Sequence, residues 1–211
     1  MKHNLSTSCD LCPRRCGADR AAGERGVCGA DDALVVARAA LHFWEEPPIS
    51  GSRGSGTVFF AHCPLHCCYC QNAVIAAGEA GRAVNVDRLA EMLLELEAQG
   101  ALNVNLVTPT HYAPQARAAV ARARGRGLAL PVVWNTSGYE TVAAVQANAG
   151  TVDVYLADFK YADPLLAVRY SKAPDYPDAT LAALGEMVRQ TGAPEFDEVD
   201  GDELGAAIAS R

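Results

Sequence analysis

Residues 57–70 read TVFFAHCPLHCCYC, an apolar run that leads directly into a loop with four of the chain's eight cysteines. The β-branched and aromatic residues at positions 57–61 are typical of a short buried strand. In α/β folds built from parallel strands, reactive groups gather where a strand ends and its loop begins. This stretch therefore predicts an α/β fold whose functional site lies at the end of this strand.

Strand-like and helix-like patterns alternate along the rest of the chain. We expect strands at residues 57–61, 102–107, 130–134 and 152–157, and helices at residues 86–99, 114–124, 139–148 and 178–190. Residues 164–177 form a loop-rich stretch, and residues 34–41 are one further β-like run. Strands that alternate with helices predict a parallel sheet. Polar residues at four successive strand ends favour a partial, incomplete β/α barrel over an open doubly wound sheet.

Composition and charge divide the chain into three predicted regions. We expect a small cysteine-rich segment over residues 1–54, the partial barrel over residues 55–194 and an acidic tail over residues 195–211. Six carboxylates fall at positions 195–203 and account for nearly all of the net charge of −7, so the remainder is close to neutral. Four barrel strands alone would leave an unprotected sheet edge.

Several classes of partner are not expected from this sequence. No run reaches the about eighteen apolar residues of a membrane helix. No apolar segment follows the polar start of the chain, so we expect a cytoplasmic protein whose thiols serve metal or redox chemistry rather than disulfides. The one basic run, Arg122, Arg124 and Arg126, is typical of a solvated helix end. We therefore expect neither a membrane nor a nucleic acid as partner.

Three cysteines of the central loop, Cys63, Cys67 and Cys70, have the spacing C-x3-C-x2-C. Four thiolates would saturate the irons of a cubane cluster, whereas three on one short loop leave the fourth iron open to a non-protein ligand. Adjacent cysteines point their side chains apart, so Cys68 is interpreted as the variable residue of the motif. A four-thiolate zinc site that recruits Cys68, or a set of inert thiols, is the alternative.

The same loop, with the aromatic Tyr69 just before its last cysteine, resembles the signature loop of the radical S-adenosylmethionine (SAM) superfamily. Other phrases resemble homologues of pyruvate formate-lyase activating enzyme of the PflX type, namely CDLCPRRCGADR, EEPPISGSRGSG, CQN, LVTPTHY, NTSGYE and YLADFKY. The resemblance covers residues 9–190. It implies a 4Fe-4S cluster on the three cysteines and SAM held along the carboxyl edge of a partial barrel.

The resemblance also implies which residues contact SAM. They are Tyr69, Asn135, Thr136, Asp158 and Lys160, with Thr108 and Thr110 added where LVTPTHY replaces the glycine-rich stretch that holds the SAM amino group in related enzymes. Asp158 and Lys160 match an Asp-x-Lys after the fourth strand. Their alternative interpretation is a surface ion pair. For Glu45 and Glu46, which precede the first barrel strand, we expect a structural role in the loop.

A second set of cysteines lies near the N-terminus. Cys9, Cys12, Cys16 and Cys28 are separated by two, three and eleven residues, with glycines that let a short chain wrap a metal. A four-thiolate zinc site or an auxiliary iron–sulfur cluster would hold this apolar-poor segment together, and the alternative is a loop of reduced thiols. Iron here would relay electrons to the central cluster, whereas zinc would be structural.

The function implied by the resemblance is reductive cleavage of SAM to a 5′-deoxyadenosyl radical. The expected partners are an electron donor such as flavodoxin or ferredoxin and a protein substrate, for example the glycine of a glycyl-radical enzyme. Members of the family continue beyond the position of Arg211. The alternative is therefore a non-catalytic remnant that binds an iron–sulfur cluster or zinc.

Overall fold

One six-stranded sheet forms the centre of the computed structural model, which describes residues 8–193, 196–197 and 207–208. Its strands are β1 (Leu34–His42), β2 (Ser55–Phe60), β3 (Arg82–Val84), β4 (Val104–Val107), β5 (Val132–Thr136) and β6 (Val154–Ala157). Their order across the sheet is β3-β1-β2-β4-β5-β6. Two short segments, β7 (Phe196–Asp197) and β8 (Ala207–Ile208), pair separately.

Four strands of the sheet run parallel, as the alternating pattern predicts. β2, β4, β5 and β6 pair in parallel, while β1 is antiparallel to both β2 and β3. The α/β class is therefore confirmed. The sheet is open, with β3 and β6 at its edges. The described residues form no closed barrel, and the partial barrel stays a prediction.

Seven helices accompany the strands in the described part of the chain. They are α1 (Pro47–Ser50), α2 (Ala73–Ala76), α3 (Val86–Ala98), α4 (Ala113–Gly125), α5 (Val142–Gln146), α6 (Pro164–Ser171) and α7 (Tyr176–Thr191), with 3-10 turns at Arg20–Ala22 and Thr110–Tyr112. Helix α3 begins where the Asn85 side chain accepts the Arg88 N–H, which satisfies one of the unpaired donors of the first turn.

The main core lies between the sheet and helices α3 and α4. Leu89, Leu93 and Leu96 recur at helical spacing along α3 and are buried. They pack with the alternate strand residues Leu106 and Trp134 in one apolar cluster. The intervening residues of β4 and β5 face the other side of the sheet, because successive strand side chains point to opposite faces.

The expectation of loops over residues 164–177 is wrong, because α6 and the start of α7 lie there. Pro164 and Pro177 occupy the first turns of these helices, where a proline costs no hydrogen bond. Asp163 caps α6 by accepting the Leu165 N–H at 2.8 Å. Pro164 and Pro177 thus lie at helix starts and not in the predicted loop.

The predicted regional boundaries stay predictions. β1 comes before residue 55 and β2 begins there, and the two strands pair along most of their length. Most of the predicted acidic tail lies outside the described residues. Among the described helices, none combines the length and the apolar character needed to cross a bilayer.

Candidate functional site

The central cysteine loop follows β2 and turns sharply around Cys63. His62 and His66 both have positive φ, at 70° and 55°, which bends the backbone back on itself. The Cys63 sulfur accepts hydrogen bonds from the backbone N–H groups of Leu65 and His66. Backbone donors of this kind favour a thiolate, which is the form that binds iron.

The three predicted cluster ligands lie close enough for their charges to interact. Burial raises the pKa of the Cys63 thiol, its backbone hydrogen bonds oppose the rise, and the charges of Cys67 and Cys70 add to it. Cys68 is exposed and turns away, with its N–H donating to the Tyr170 carbonyl at 2.9 Å. Binding of a cationic group at these three sulfurs would displace their protons.

Within the described part of the chain, no three His, Cys, Asp or Glu side chains are arranged around a single metal ion. A polynuclear cluster bonds its thiolates to different irons, so its ligands need not converge on one point. The donor set of three thiols on one loop, with N–H groups directed at a sulfur, fits a cluster by its chemistry. The assignment of Cys63, Cys67 and Cys70 as ligands stays a prediction.

Aromatic rings form the wall behind the loop. Cys63 and Cys67 pack against a buried cluster that contains Tyr139, Tyr161 and Tyr176. The exposed ring of Tyr69 stands edge-on to Tyr161, with centroids 6.3 Å apart. Tyr69 therefore contacts Tyr161 while much of its ring stays exposed, and its contact with SAM stays a prediction.

Asp158 and Lys160 lie just beyond β6 and form an ion pair, with Nζ and Oδ2 2.5 Å apart. Burial lowers the pKa of Lys160, but the hydrogen bond and charge of Asp158 outweigh burial and the pKa is raised. The charge of Cys67 contributes to this rise, so Lys160 lies within electrostatic range of the cysteine loop. The structure thus brings the predicted Asp-x-Lys pair to the predicted cluster ligands.

The Tyr176 hydroxyl fixes the ends of two neighbouring strands, a role that the sequence analysis missed. It lies 2.7 Å from the Ser137 carbonyl and 3.1 Å from the Asp158 carbonyl, and it accepts the Lys160 N–H at 2.8 Å. Tyr176 is fully buried in the first turn of α7. Because α7 was expected to begin two residues later, no sequence signal connected Tyr176 with the strand ends.

Thr110 and Thr136 do not face an open site in this structure. Both are buried, and their hydroxyls donate to Oε1 of the buried Glu140 at 2.6 and 2.8 Å. The Trp134 indole N–H donates to the same oxygen at 3.2 Å. Burial raises the pKa of Glu140, and the three hydrogen bonds oppose that rise. The predicted contacts of the two threonines with SAM stay predictions.

Thr108 and Asn135 lie nearer to the surface of the site. Both are partly buried, and the Thr108 N–H donates to the Asn135 carbonyl at 2.8 Å. Thr108 has φ of 56°, a left-handed conformation that is uncommon for a β-branched residue. The Asn135 side chain donates to the Glu45 carboxylate at 3.0 Å, so Glu45 has a partner on the sheet that the sequence analysis missed.

The four N-terminal cysteines lie near one another in pairs, although no three of them, among the described residues, are placed to hold a single metal ion. A Cβ atom added at Gly26 would lie 3.1 Å from the Cys16 sulfur and 3.4 Å from the Cys28 sulfur, so glycine is what lets these thiols approach. The Cys9 and Cys16 thiols share a hydrogen bond. Burial raises the pKa of Cys12 to about 12, and the charges of Cys28 and Cys9 contribute to that rise.

Backbone N–H groups are directed at three of these sulfurs. The Cys12 sulfur accepts from Arg14, the Cys16 sulfur from Ala18 and Val27, and the Cys28 sulfur from Ala30. In each case one donor is the residue two positions after the cysteine. Such donors favour the thiolate form over the thiol. Burial outweighs these donors at Cys12 and Cys28, whose pKa values are raised, whereas the backbone donors lower the pKa of Cys16.

Arg14 attaches this N-terminal segment to the central cysteine loop. Its guanidinium donates to the carbonyls of Pro64 at 2.9 Å and Leu65 at 3.2 Å. The same group donates to the Ser171 carbonyl at 2.7 Å and to the Lys172 carbonyl at the end of α6. One side chain between Cys12 and Cys16 thus holds both the central loop and a helix end.

Comparison with known proteins gives a family and one relative. A family model described as a 4Fe-4S single cluster domain matches residues 50–179, which contain the central cysteine loop but not the N-terminal cysteines. An uncharacterised protein of Methanocaldococcus jannaschii is 30% identical over 184 residues, which cover 83% of this chain and 52% of that protein. The chain thus spans about half the length of this relative. No solved structure matches.

Replacing Arg14 by glutamine should loosen the central loop. Its two hydrogen bonds to Pro64 and Leu65 contribute about 1–3 kcal/mol together, so we expect Cys63 in the reduced, metal-free chain to react about tenfold faster with iodoacetamide. Mass spectrometry of the modified peptide measures the rate. Arg15→Gln removes the same charge from an exposed neighbour and serves as the control. Equal rates in the two variants would show that Arg14 does not hold the loop.

The buried Glu140 should make stability depend on pH. Because its pKa is raised above the ordinary 4.5, the folded chain keeps a proton that the unfolded chain loses, and stability falls as pH rises from about 4.5 through the folded pKa. We expect the native chain to lose stability relative to Glu140→Gln over this pH range. The difference between their free energies of unfolding should fall by up to about 1.4 kcal/mol per pH unit. Chemical denaturation at several pH values tests this; a difference that rises with pH would contradict the assignment.

Proposed function

The chain belongs to the 4Fe-4S single cluster domain family, and from that premise we propose that it is a radical SAM protein that cleaves SAM reductively. The observation that carries the proposal is the set of three close thiols on one loop, with Lys160 and Asp158 beside Cys67. Cys63, Cys67 and Cys70 would hold a 4Fe-4S cluster, which would supply the electron for reductive cleavage of SAM to methionine and a 5′-deoxyadenosyl radical.

The residues at the strand ends are suited to bind the polar parts of SAM. Lys160 retains 28% of its side-chain exposure and offers a cation for a carboxylate. Asp158 is 62% exposed and offers acceptors for ribose hydroxyls. Tyr176 fixes the backbone of both residues through the Lys160 N–H and the Asp158 carbonyl, so the pair is positioned before SAM arrives.

The ends of β4 and β5 contribute in two ways to the proposed SAM site. Thr108, with its left-handed backbone and partial exposure, is the proposed contact for the SAM amino group. Thr110 and Thr136 act behind it, because their hydroxyls bind Glu140 and fix the loop rather than face the ligand. Tyr69 supplies an exposed ring face next to the cysteines.

We further propose that the N-terminal cysteines hold a second metal site, with zinc or an auxiliary iron–sulfur cluster as the metal. The convergence of Cys16 and Cys28 on Gly26 supports this proposal, as do the N–H groups directed at the sulfurs. Metal binding at the N-terminal cysteines would fix Arg14, which in turn holds the central loop through its hydrogen bond to the Pro64 carbonyl. Four thiolates from one short segment are typical of a closed, structural site.

The proposed partners follow from the reaction. One-electron reduction requires a donor such as flavodoxin or ferredoxin, and a protein glycine is the proposed target of the radical. Exposed apolar side chains that follow β6 would support docking of a protein, among them Phe159, Leu165 and Leu166. A reducing, cytoplasmic location suits free thiols on both cysteine sets.

Cleavage of SAM is the direct test of this function. After anaerobic reconstitution with iron and sulfide and reduction with dithionite, we expect the native chain and Cys68→Ala to hold about four irons at the central loop and to form 5′-deoxyadenosine from SAM. We expect Cys67→Ala to form none, because it lacks one of the three proposed ligands. Chromatography quantifies the product.

Cys68→Ala is the matched control, since it removes an exposed thiol from the same loop. A native chain with a complete cluster but no product would favour the alternative of a non-catalytic metal-binding protein. Equal loss of the cluster in both variants would contradict the assignment of ligands.

The N-terminal site is tested separately by metal content. We expect Cys28→Ser to lose the metal of that site, about one zinc or the irons of a second cluster, while it keeps the spectrum of the central cluster. Elemental analysis and electron paramagnetic resonance of the same sample measure both. A metal content identical to that of the native chain would contradict a second site.

A further inference from the structure

The carboxylate of Glu45 joins two neighbouring strands of the parallel sheet. Its Oε2 accepts from Nδ2 of Asn105 on β4 and from Nδ2 of Asn135 on β5, each at 3.0 Å. Both asparagines lie on the sheet face opposite to the core residues Leu106 and Trp134, because their positions alternate along the strands. This face therefore carries a negative charge held by two amides.

An unused acceptor lies next to this carboxylate. Asn105 is completely buried, and its Oδ1 has no hydrogen-bond partner among the residues that the structure describes. Its amide nitrogen already donates to Glu45, so the free oxygen of the same amide is a neighbour of the carboxylate. A buried acceptor without a donor destabilises the fold, because the water that it gave up is not replaced. Such a group is a reason to expect a ligand that donates hydrogen bonds.

The Glu45 carboxylate lacks a cationic partner in the described part of the chain. Among the residues that the structure describes, no lysine, arginine or histidine forms an ion pair with Glu45. Glu45 itself is partly exposed, so a ligand can reach its carboxylate from solvent. The site thus combines a negative charge, a free buried acceptor and an open side.

The carboxylate is not needed to anchor its own segment. The segment from Glu45 to Ser50 is already held by the Ser50 hydroxyl, which donates to the Glu45 carbonyl at 3.0 Å. The Asn103 amide donates to the Ile49 carbonyl at 2.6 Å and attaches the same segment to β4. A purely structural role would explain neither the charge of Glu45 nor the free oxygen of Asn105.

We propose that Glu45 and Asn105 bind a protonated amine of the substrate. An ammonium group carries three N–H donors, no acceptor and a positive charge, which matches a carboxylate beside a free amide oxygen. A neutral alcohol could donate a hydrogen bond to Asn105 Oδ1, but it would not neutralise the charge of Glu45. The assignment to substrate rests on the proposed SAM chemistry, and the amine site itself stands on the geometry of Glu45, Asn105 and Asn135.

The ligand of this site differs from SAM. The proposed SAM contacts Asp158 and Lys160 follow β6 and lie beside Cys67, whereas Asn105 is the second residue of β4, inside the sheet. An amine bound at Glu45 would thus occupy the sheet face, with SAM at the strand ends. Asn135, which binds Glu45 and is also a predicted SAM contact, would lie between the two ligands.

Titration of the ¹⁵N-labelled full chain with n-butylammonium tests the site, with n-butanol as the neutral probe of the same shape. We expect the Asn105 and Asn135 side-chain amide signals to shift and saturate with n-butylammonium, and to respond at least tenfold more weakly to n-butanol. Equal responses to the two probes, or no response to n-butylammonium, would overturn the proposal. This comparison needs no variant that might misfold.

Two variants locate the charge. Glu45→Gln should weaken n-butylammonium binding at least tenfold, while Glu46→Gln, which removes the same charge from an exposed neighbour, should bind as the native chain does. An unchanged affinity in Glu45→Gln, with its fold verified by thermal unfolding, would overturn the proposal.

Cleavage of SAM without substrate separates this proposal from the proposed function. If the native chain binds n-butylammonium but forms no 5′-deoxyadenosine, the amine site stands and the radical function falls. If it forms 5′-deoxyadenosine but does not bind the amine, the amine site alone falls.

Discussion

The guanidinium of Arg14 is the contact on which the arrangement of both cysteine sets depends. It lies between two N-terminal cysteines, yet its hydrogen bonds end on Pro64 and Leu65 in the central loop and on Ser171 at the end of α6. A second link joins the His66 ring to the Val27 carbonyl at 2.9 Å. Because these carbonyls belong to loops and a helix end, they have few other partners. The N-terminal segment therefore supports the loop that is proposed to hold the cluster.

Buried polar contacts fix the carboxyl edge of the sheet in the same manner. The Tyr176 hydroxyl joins the residues that follow β5 and β6, and Glu140 gathers the hydroxyls of Thr110 and Thr136 behind the next strand ends. Hydrogen bonds that are protected from water hold geometry more firmly than exposed ones. Lys160 and Asp158 can thus lie beside Cys67 with little freedom. A site of this kind is formed before its ligand binds, which reduces the entropy that binding would cost.

Sequence reasoning succeeded where the information was local. The cysteine spacing, the alternation of strands and helices and the apolar face of α3 depend on residues a few positions apart. The family match agrees with the predicted cluster type, and the sheet agrees with the predicted α/β class.

The reasoning failed where the contact is distant in the chain. Arg14 meets Ser171 across 157 residues, and no local pattern indicates it. Pro164 signalled a loop because a proline at a helix start resembles one in a turn. The hydrogen bonds of Thr110 and Thr136 to Glu140 could not be predicted either. Polar residues at strand ends suggest a binding site whether their side chains face solvent or the interior.

The central claim is that three thiolates leave one iron of the cluster for SAM. Electron–nuclear double resonance of the reduced native chain, with SAM labelled by ¹⁵N at its amino group, tests it most directly. We expect a ¹⁵N coupling that is present with labelled SAM, absent with unlabelled SAM, and unchanged in Cys68→Ala. If equilibrium dialysis shows that SAM is bound and no ¹⁵N coupling appears, the amino group is not on the cluster and the open-iron assignment is wrong.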